Sequence, residues 1–340
     1  MAKVRPSVLR SLERFRRTRS TLFRRYDLRG RSVVVSGGSR GLGLALAREM
    51  GAKGARLTLL ARDEPTLVRA REGLLGLGVR DVSVLACDIA DKAQVQRAVV
   101  AISAARGSID VLVNVAGVMA VGPIETMRER DFERAMATHF WGPVHLIEAV
   151  VPEMRARGEG RIANISSIGG IVAVPHLLPY VSSKFALTGL SLGLRAELAK
   201  DGVGVSTVCP GLMRTGSPVN ATFKGAHEAE YAWFATANAS PVLSTTAEAA
   251  ARRIVRAVER NEAMVHISLP AKAAALAAAL APGLVSVAMT FANELLPRSD
   301  DTHPRKGSES RGRLPSWMIS LSDRAAARHN QRANGGSRAG

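Results

Sequence analysis

The chain has 340 residues, 46% of them hydrophobic, which suits one large α/β domain or two small ones and excludes wholesale disorder. Its two cysteines, Cys87 and Cys209, exclude a disulfide framework and lack metal-ligand spacing, so they read as small core residues in a reducing compartment. The net charge of +18 would suggest nucleic acid, but it sits mainly at the ends: residues 1–31 hold eleven Lys/Arg against two acids, and residues 297–340 hold nine against four.

Residues 1–30 form a basic arm. Val8, Leu9, Leu12 and Phe15 recur at helical spacing among arginines, and Leu22, Phe23 and Tyr26 follow; this is the pattern of a basic amphipathic helix. Arginines interrupt any apolar core of a secretory signal, so a cytoplasmic protein is expected. Three readings stand for the arm: attachment to an anionic membrane face, nucleic-acid binding, or a solvated flexible segment. No base-reading motif accompanies it, and the aromatics do not interleave with the basic residues as a stacking platform would, which argues against nucleic acid.

Residues 31–269 alternate short β-branched runs with longer helical patterns. The runs fall at Ser32–Ser36, Arg56–Leu60, Val82–Cys87, Asp110–Asn114, Arg161–Ser166, Val203–Cys209 and Met264–Ser268. Seven strands with helical crossovers predict a parallel sheet with helices on both faces, a doubly wound α/β fold. Continuous apolar character suits strands buried on both sides. The run from Ala273 to Asn293 is uncharged but rich in alanine and broken at Pro282-Gly283. It predicts, within an Ala-rich extension over 270–296, a pair of short helices packed on the body or lying on a bilayer, rather than a span. Residues 297–340 are basic and read as a largely disordered tail.

The first strand runs into Ser36-Gly37-Gly38-Ser39-Arg40-Gly41-Leu42-Gly43. Gly37, Gly41 and Gly43 allow a tight turn and close approach of the backbone to a pyrophosphate. The next helix start offers free N–H groups and a favourable dipole. This loop predicts a Rossmann-type dinucleotide site. The second strand ends at Ala61-Arg62, where an NAD-selective fold usually places an acid for the ribose 2′-hydroxyl. Arg62 with Arg40 instead suits a 2′-phosphate, so NADP(H) is expected over NAD(H). The plainer reading is two solvated arginines. Strand three ends at Cys87-Asp88-Ile89; Asp88 could accept from an adenine amino group, while Asp91 could cap the next helix. Small residues at Asn114-Val115-Ala116-Gly117 again leave room for a cofactor.

Strand five ends at Ser166-Ser167, and Tyr180 and Lys184 lie four apart at a helix start, sharing one face. Carbonyl reduction needs a proton donor. Tyrosine near pKa 10 is poor at neutral pH unless a nearby ammonium stabilises its phenolate. Lys184 could do this and bond a ribose, and Ser167 could donate to the substrate oxygen.

These residues together resemble the short-chain dehydrogenase/reductase family. The resemblance covers about residues 31–269 through the glycine loop, Asn114-Val115-Ala116-Gly117, Ser167, Tyr180, Lys184 and Pro210-Gly211 with Thr215. It implies sheet order 3-2-1-4-5-6-7, Tyr180 as acid/base, Ser167 as oxygen donor and Lys184 as ribose clamp. It also implies Pro210, Gly211 and Thr215 beside the nicotinamide, and a homo-oligomer. His139 departs from the pattern, standing where the family usually carries an asparagine that holds a proton-relay water. It could support that water, titrate near neutral pH, or be a buried polar residue with one hydrogen bond. The stretch from Leu212 to Val242 holds Met213, Phe223, Tyr231, Trp233 and Phe234 where the family carries a lid. It suggests a lipophilic carbonyl or alcohol substrate, or simple lid packing. The competing functions are a catalytically weak nucleotide sensor and a membrane-associated scaffold on the same fold.

Overall fold

The computed structural model describes residues 25–240, 244–312 and 328–331. Seven strands make one parallel sheet: β1 (Ser32–Ser36), β2 (Arg56–Ala61), β3 (Val82–Ala86), β4 (Val111–Asn114), β5 (Gly160–Ile165), β6 (Val203–Pro210) and β7 (Met264–Ile267). Their order is β3-β2-β1-β4-β5-β6-β7, with β1 paired in parallel to both β2 and β4. The order therefore reverses beside β1, and a crevice opens there at the carboxyl ends of the strands, where ligands bind in such sheets.

The alternation of side chains along each strand divides the core in two. Val33 and Val35 face one layer and Val34 the other. On the first face, α1 (Gly41–Ala52) and α2 (Glu64–Gly76) bury Leu46, Met50, Leu67 and Leu74; α8 (Ala247–Arg260) adds Ile254 and Val258. On the second, α3 (Lys92–Arg106) and α5 (Gly142–Arg157) bury Val95, Ile102, Leu146 and Val150. Each such side chain contributes roughly 1.5–3 kcal/mol, which explains why both faces of the strands read apolar.

The remaining helices shape the crevice. α4 (Glu129–Met136) passes through a π-helical turn at Ala137–Trp141 into α5. Such turns bend a helix and often sit at functional sites. α6 (Leu178–Leu198) follows a loop after β5, and α7 (His227–Ala239) belongs to the lid segment. α9 (Leu269–Leu280) and α10 (Pro282–Glu294) form a hairpin that breaks at Pro282. Its outward side is bare: Leu280, Leu284, Phe291 and Leu295 are 76%, 73%, 70% and 88% exposed. Among the described residues no helix is long and apolar enough to cross a membrane.

Two boundaries differ from the sequence reading. Residues 25–30 join the body rather than an arm: Tyr26 is buried between the Arg31 and Arg161 guanidiniums, and Leu28 is fully buried. The rest of the amphipathic pattern lies outside the described residues. Short described pieces of 297–340 are also tied to the body, although most of their side chains are exposed or half-buried. Arg305–Lys306 pairs antiparallel with Thr222–Phe223, which pairs parallel with Ala120–Val121. Backbone pairing orders this stretch where side-chain patterning gave no sign. Residues 328–331 lie against the glycine loop.

Candidate active site

The crevice is a cleft of about 1830 Å³. Its walls include Gly37, Ser39, Arg40, Gly41, Leu42, Gly43, Arg62, Asp88, Ile89, Ala116 and Gly117 at one end, and His139, Ser167, Tyr180, Lys184, Pro210, Gly211 and Thr215 toward the other. Ser36 and Asn114 do not line it. They are buried at the strand ends beneath, where Ser36 Oγ accepts from Val115 N–H and Asn114 Nδ2 donates to Asn164 Oδ1 at 2.8 Å.

The glycine loop has the shape of a cradle. A Cβ on Gly37 would meet the Ala116 backbone at 2.7 Å, and one on Gly43 would meet Gly37 O at 2.1 Å. The chain can pass this closely only without side chains. α1 begins at Gly41 with no side-chain cap from Arg40; its first amide, Gly41 N–H, donates to His329 O at 2.9 Å, and the helix start keeps the dipole that suits an anion. These residues fit a dinucleotide pyrophosphate. Arg40 is held below its usual pKa by desolvation and by the charge of Arg62 beside it. Two guanidiniums that feel each other's charge favour an anion beside them.

Asp63 serves as N-cap of α2, accepting from Thr66 N–H at 2.9 Å, so the acid after Arg62 is already engaged. Both Asp88 and Asp91 are engaged too: Asp88 Oδ1 accepts from Ala90 N–H, and Asp91 caps α3 through Gln94 N–H.

At the other end, Ser167 Oγ accepts from Gly169 N–H at 3.0 Å and hydrogen-bonds the Tyr180 hydroxyl. Lys184 is buried, with Nζ donating to Ile165 O at 2.8 Å and lying 5.7 Å from the Tyr180 ring centre. Burial pushes the Tyr180 phenol up to about 12, against the opposing hydrogen bond from Ser167. Burial also pushes the Lys184 amine down to about 7. The expected lowering of the Tyr180 pKa by Lys184 does not enter here: desolvation dominates both groups. Tyr180 is protonated at neutral pH.

His139 sits in the π-helical turn, 0% exposed, with its ring edge-on to Tyr180 at 5.4 Å. Nε2 accepts from Val118 N–H at 3.0 Å, and Nδ1 meets Ser183 Oγ at 2.7 Å. The Ser183 hydroxyl donates onward to Tyr180 O. Nδ1 must therefore carry the proton. Burial, and then the Lys184 charge, hold the imidazole well below its usual pKa. Of the three readings of His139, the geometry matches the buried polar residue, with two hydrogen bonds rather than one.

The lid aromatics divide. Phe223 and Tyr231 are buried in a small cluster with Leu177 and Val181, as lid packing requires. Phe234 is buried in the same cluster but also reaches the cleft, which Met213 and Trp233 line too, and Ala274, Met289 and Ala292 of the hairpin form another apolar wall. Cys87 and Cys209 are free and buried, each thiol pushed up to about 11 by burial. Among the described residues no His/Cys/Asp/Glu group could hold a metal.

Sequence reasoning missed Ser183, Asn220 and residues 329–331. Asn220 Oδ1 accepts from Arg40 Nη1 at 3.1 Å, and Asn330 and Gln331 line the cleft. Ser183 lies beside Lys184 on the same helix but carries no pattern of its own, while Asn220 and residues 329–331 reach the site from distant parts of the chain.

The sequence profile of the family described as short chain dehydrogenase matches residues 31–223. A dehydrogenase/reductase SDR family protein 7-like of Anopheles gambiae is 34% identical over 247 residues, covering 71% of this chain and 76% of its own. A short-chain dehydrogenase from Streptomyces avermitilis superposes with TM-score 0.67 at 27% identity, covering 78% of this chain and 96% of its own. L-Sorbose reductase from Gluconobacter frateurii, solved with NADPH and L-sorbose, superposes with TM-score 0.64 at 25% identity, covering 72% and 97%.

Proposed function

The chain belongs to the short-chain dehydrogenase/reductase family, NAD(P)-dependent oxidoreductases of CH–OH and C=O groups, and from that premise we propose that it is an NADP(H)-dependent reductase of a lipophilic carbonyl with Tyr180 as proton donor. The observation that carries this reading is one cleft with two chemically distinct ends: Ser167, Tyr180 and Lys184 at one, and Arg40 beside Arg62 at the glycine loop.

Bound in the cradle, the nicotinamide supplies the hydride that reaches the carbonyl carbon. Tyr180 then gives its proton to the carbonyl oxygen, so the product is the neutral alcohol. The phenol, pushed up to about 12 by burial, holds at neutral pH the proton it gives, though as a weak acid it depends on Lys184 and Ser167 to stabilise the charge left behind. Ser167 donates to the same oxygen and stabilises charge as it develops. Lys184 donates one N–H to Ile165 O, which leaves further N–H capacity for a ribose and for the tyrosinate formed by proton transfer. The tyrosinate regains its proton from solvent. Both His139 nitrogens are engaged, so His139 holds the site's shape rather than carrying that proton.

Arg40 and Arg62 support preference for a 2′-phosphate, and two solved relatives hold NADPH or NADP. The apolar wall of Met213, Trp233, Phe234 and Met289 supports a lipophilic substrate. The test is titration of purified protein with NADPH and NADH, followed by nicotinamide fluorescence and then by turnover on lipophilic ketones. Tighter NADPH binding with turnover is expected. Preference for NADH would remove the arginine reading, and binding without any turnover would favour a nucleotide sensor.

A second reading concerns location. The bare apolar side of the α9–α10 hairpin favours peripheral contact with a bilayer, aided by the basic residues before residue 25. Flotation with anionic and neutral vesicles tests it: recovery in the pellet with both would sink the reading.

A further inference from the structure

The glycine loop receives contacts from a part of the chain almost 300 residues away in sequence. Asn330 is the hub. Its side-chain Nδ2 donates to Ser39 O at 2.9 Å and to Thr66 O at 3.1 Å. Those carbonyls belong to the two segments that carry Arg40 and Arg62. Asn330 adopts φ 54°, a left-handed conformation that asparagine tolerates better than most residues. On one side of it, His329 O accepts from Gly41 N–H at 2.9 Å, the first amide of the uncapped helix. The His329 ring lies 3.5 Å from Glu248. On the other side, Gln331 O accepts from Asn220 Nδ2 at 3.2 Å, and Asn220 Oδ1 in turn accepts from Arg40.

We propose that Asn330, with Asn220, is a specificity-determining positioning residue: it holds Arg40 and the Arg62 segment at the separation that receives a 2′-phosphate. This rests on the NADP(H) reading above. The Arg62 charge acts on Arg40, and two like charges tend to move apart unless they are restrained or an anion joins them. The bonds from Asn330 fix the backbone of both segments, and the bond from Asn220 fixes the Arg40 guanidinium itself. Preorganisation of this kind raises affinity by removing the ordering cost on binding. Gln331 gives a further sign that the strap faces a ligand. It is 7% exposed, it lines the cleft, and its Oε1 finds no hydrogen-bond partner among the described residues. A buried acceptor of this kind calls for a donor such as a sugar hydroxyl.

The test uses full-length wild type, Asn330→Gly and Asn220→Ala. Glycine keeps the left-handed backbone while removing the side-chain bonds. Dissociation constants for NADPH and NADH are measured by nicotinamide fluorescence, with thermal unfolding as the check on folding. The expected result is a loss of about tenfold in NADPH affinity, or ~1.4 kcal/mol, with NADH affinity nearly unchanged, so that the ratio contracts in both variants. A merely structural strap would weaken both cofactors together, and a strap competing with the cofactor would strengthen both when loosened. Either result, or an unchanged ratio, overturns the inference while leaving NADP(H) preference intact. A wild type that prefers NADH removes the parent reading and this inference with it.

Discussion

His139 donates through Nδ1 to the Ser183 hydroxyl at 2.7 Å while its Nε2 accepts from Val118 N–H at 3.0 Å, so one imidazole ties the π-helical turn to both the catalytic helix and the loop after β4. Its protonated form has no place there, because burial and the Lys184 charge hold the pKa well down. The pH profile of carbonyl reduction is expected to lack a histidine inflection at about pH 6.5. His139→Leu leaves the Val118 amide without this partner and is expected to cost roughly 1–3 kcal/mol of stability, read by urea denaturation.

Tyr180→Phe removes the proton donor and keeps the ring against His139. Turnover is expected to fall by about 10²–10⁴-fold, with NADPH affinity essentially unchanged. Unchanged turnover on an identified ketone would refute the role given to Tyr180. The reverse reaction needs the tyrosinate, and the phenol is pushed up to about 12. Alcohol oxidation by the wild type is therefore expected to climb steadily from neutral to alkaline pH.

Lys184 imposes a pH dependence on stability. Its amine falls from an ordinary 10.5 to about 7 on burial. Below about 7 both folded and unfolded states hold the proton, and the folded state bears the full cost of a buried ammonium. Between about 7 and 10.5 only the unfolded state is protonated, so this group makes the fold more stable as pH rises. Lys184→Met is expected to raise Tm most below pH 7, with the margin shrinking through that window. A margin independent of pH in differential scanning calorimetry would refute the assignment.

Gly43→Ala places a methyl 2.1 Å from Gly37 O, a backbone atom that cannot step aside without opening the turn. Loss of nucleotide binding is expected, while the far-UV circular dichroism stays close to wild type. Gly73→Ala is the contrast: nothing lies within 4 Å of its added Cβ, and replacing a helical glycine is expected to stabilise by about 0.4–1 kcal/mol.

The sheet was legible because each strand is buried on two faces and reads as a short β-branched run, and the glycine loop because close backbone approach leaves only one residue type. The Tyr180–Lys184 pair was legible for a similar reason: helical spacing of four makes two side chains neighbours. What escaped is long-range or environmental. The direction of the Tyr180 shift depends on desolvation, which spacing does not carry. The disposition of His139 depends on a hydroxyl 44 positions away. The ordering of 305–306 and 328–331 comes from backbone pairing and side-chain amides, which have no hydrophobic period to betray them.

The α9–α10 hairpin is a wall with two apolar sides, Ala274, Met289 and Ala292 toward the cleft and Leu280, Leu284 and Phe291 toward the surroundings. For the lipophilic substrates proposed above, the outer side would offer an apolar surface beside the cleft. Such a surface would act as a small reservoir, and turnover is expected to follow the local rather than the bulk concentration. Apparent KM values for such compounds will drift with whatever detergent or lipid shares the solution, because those amphiphiles draw on the same reservoir and wet the same wall.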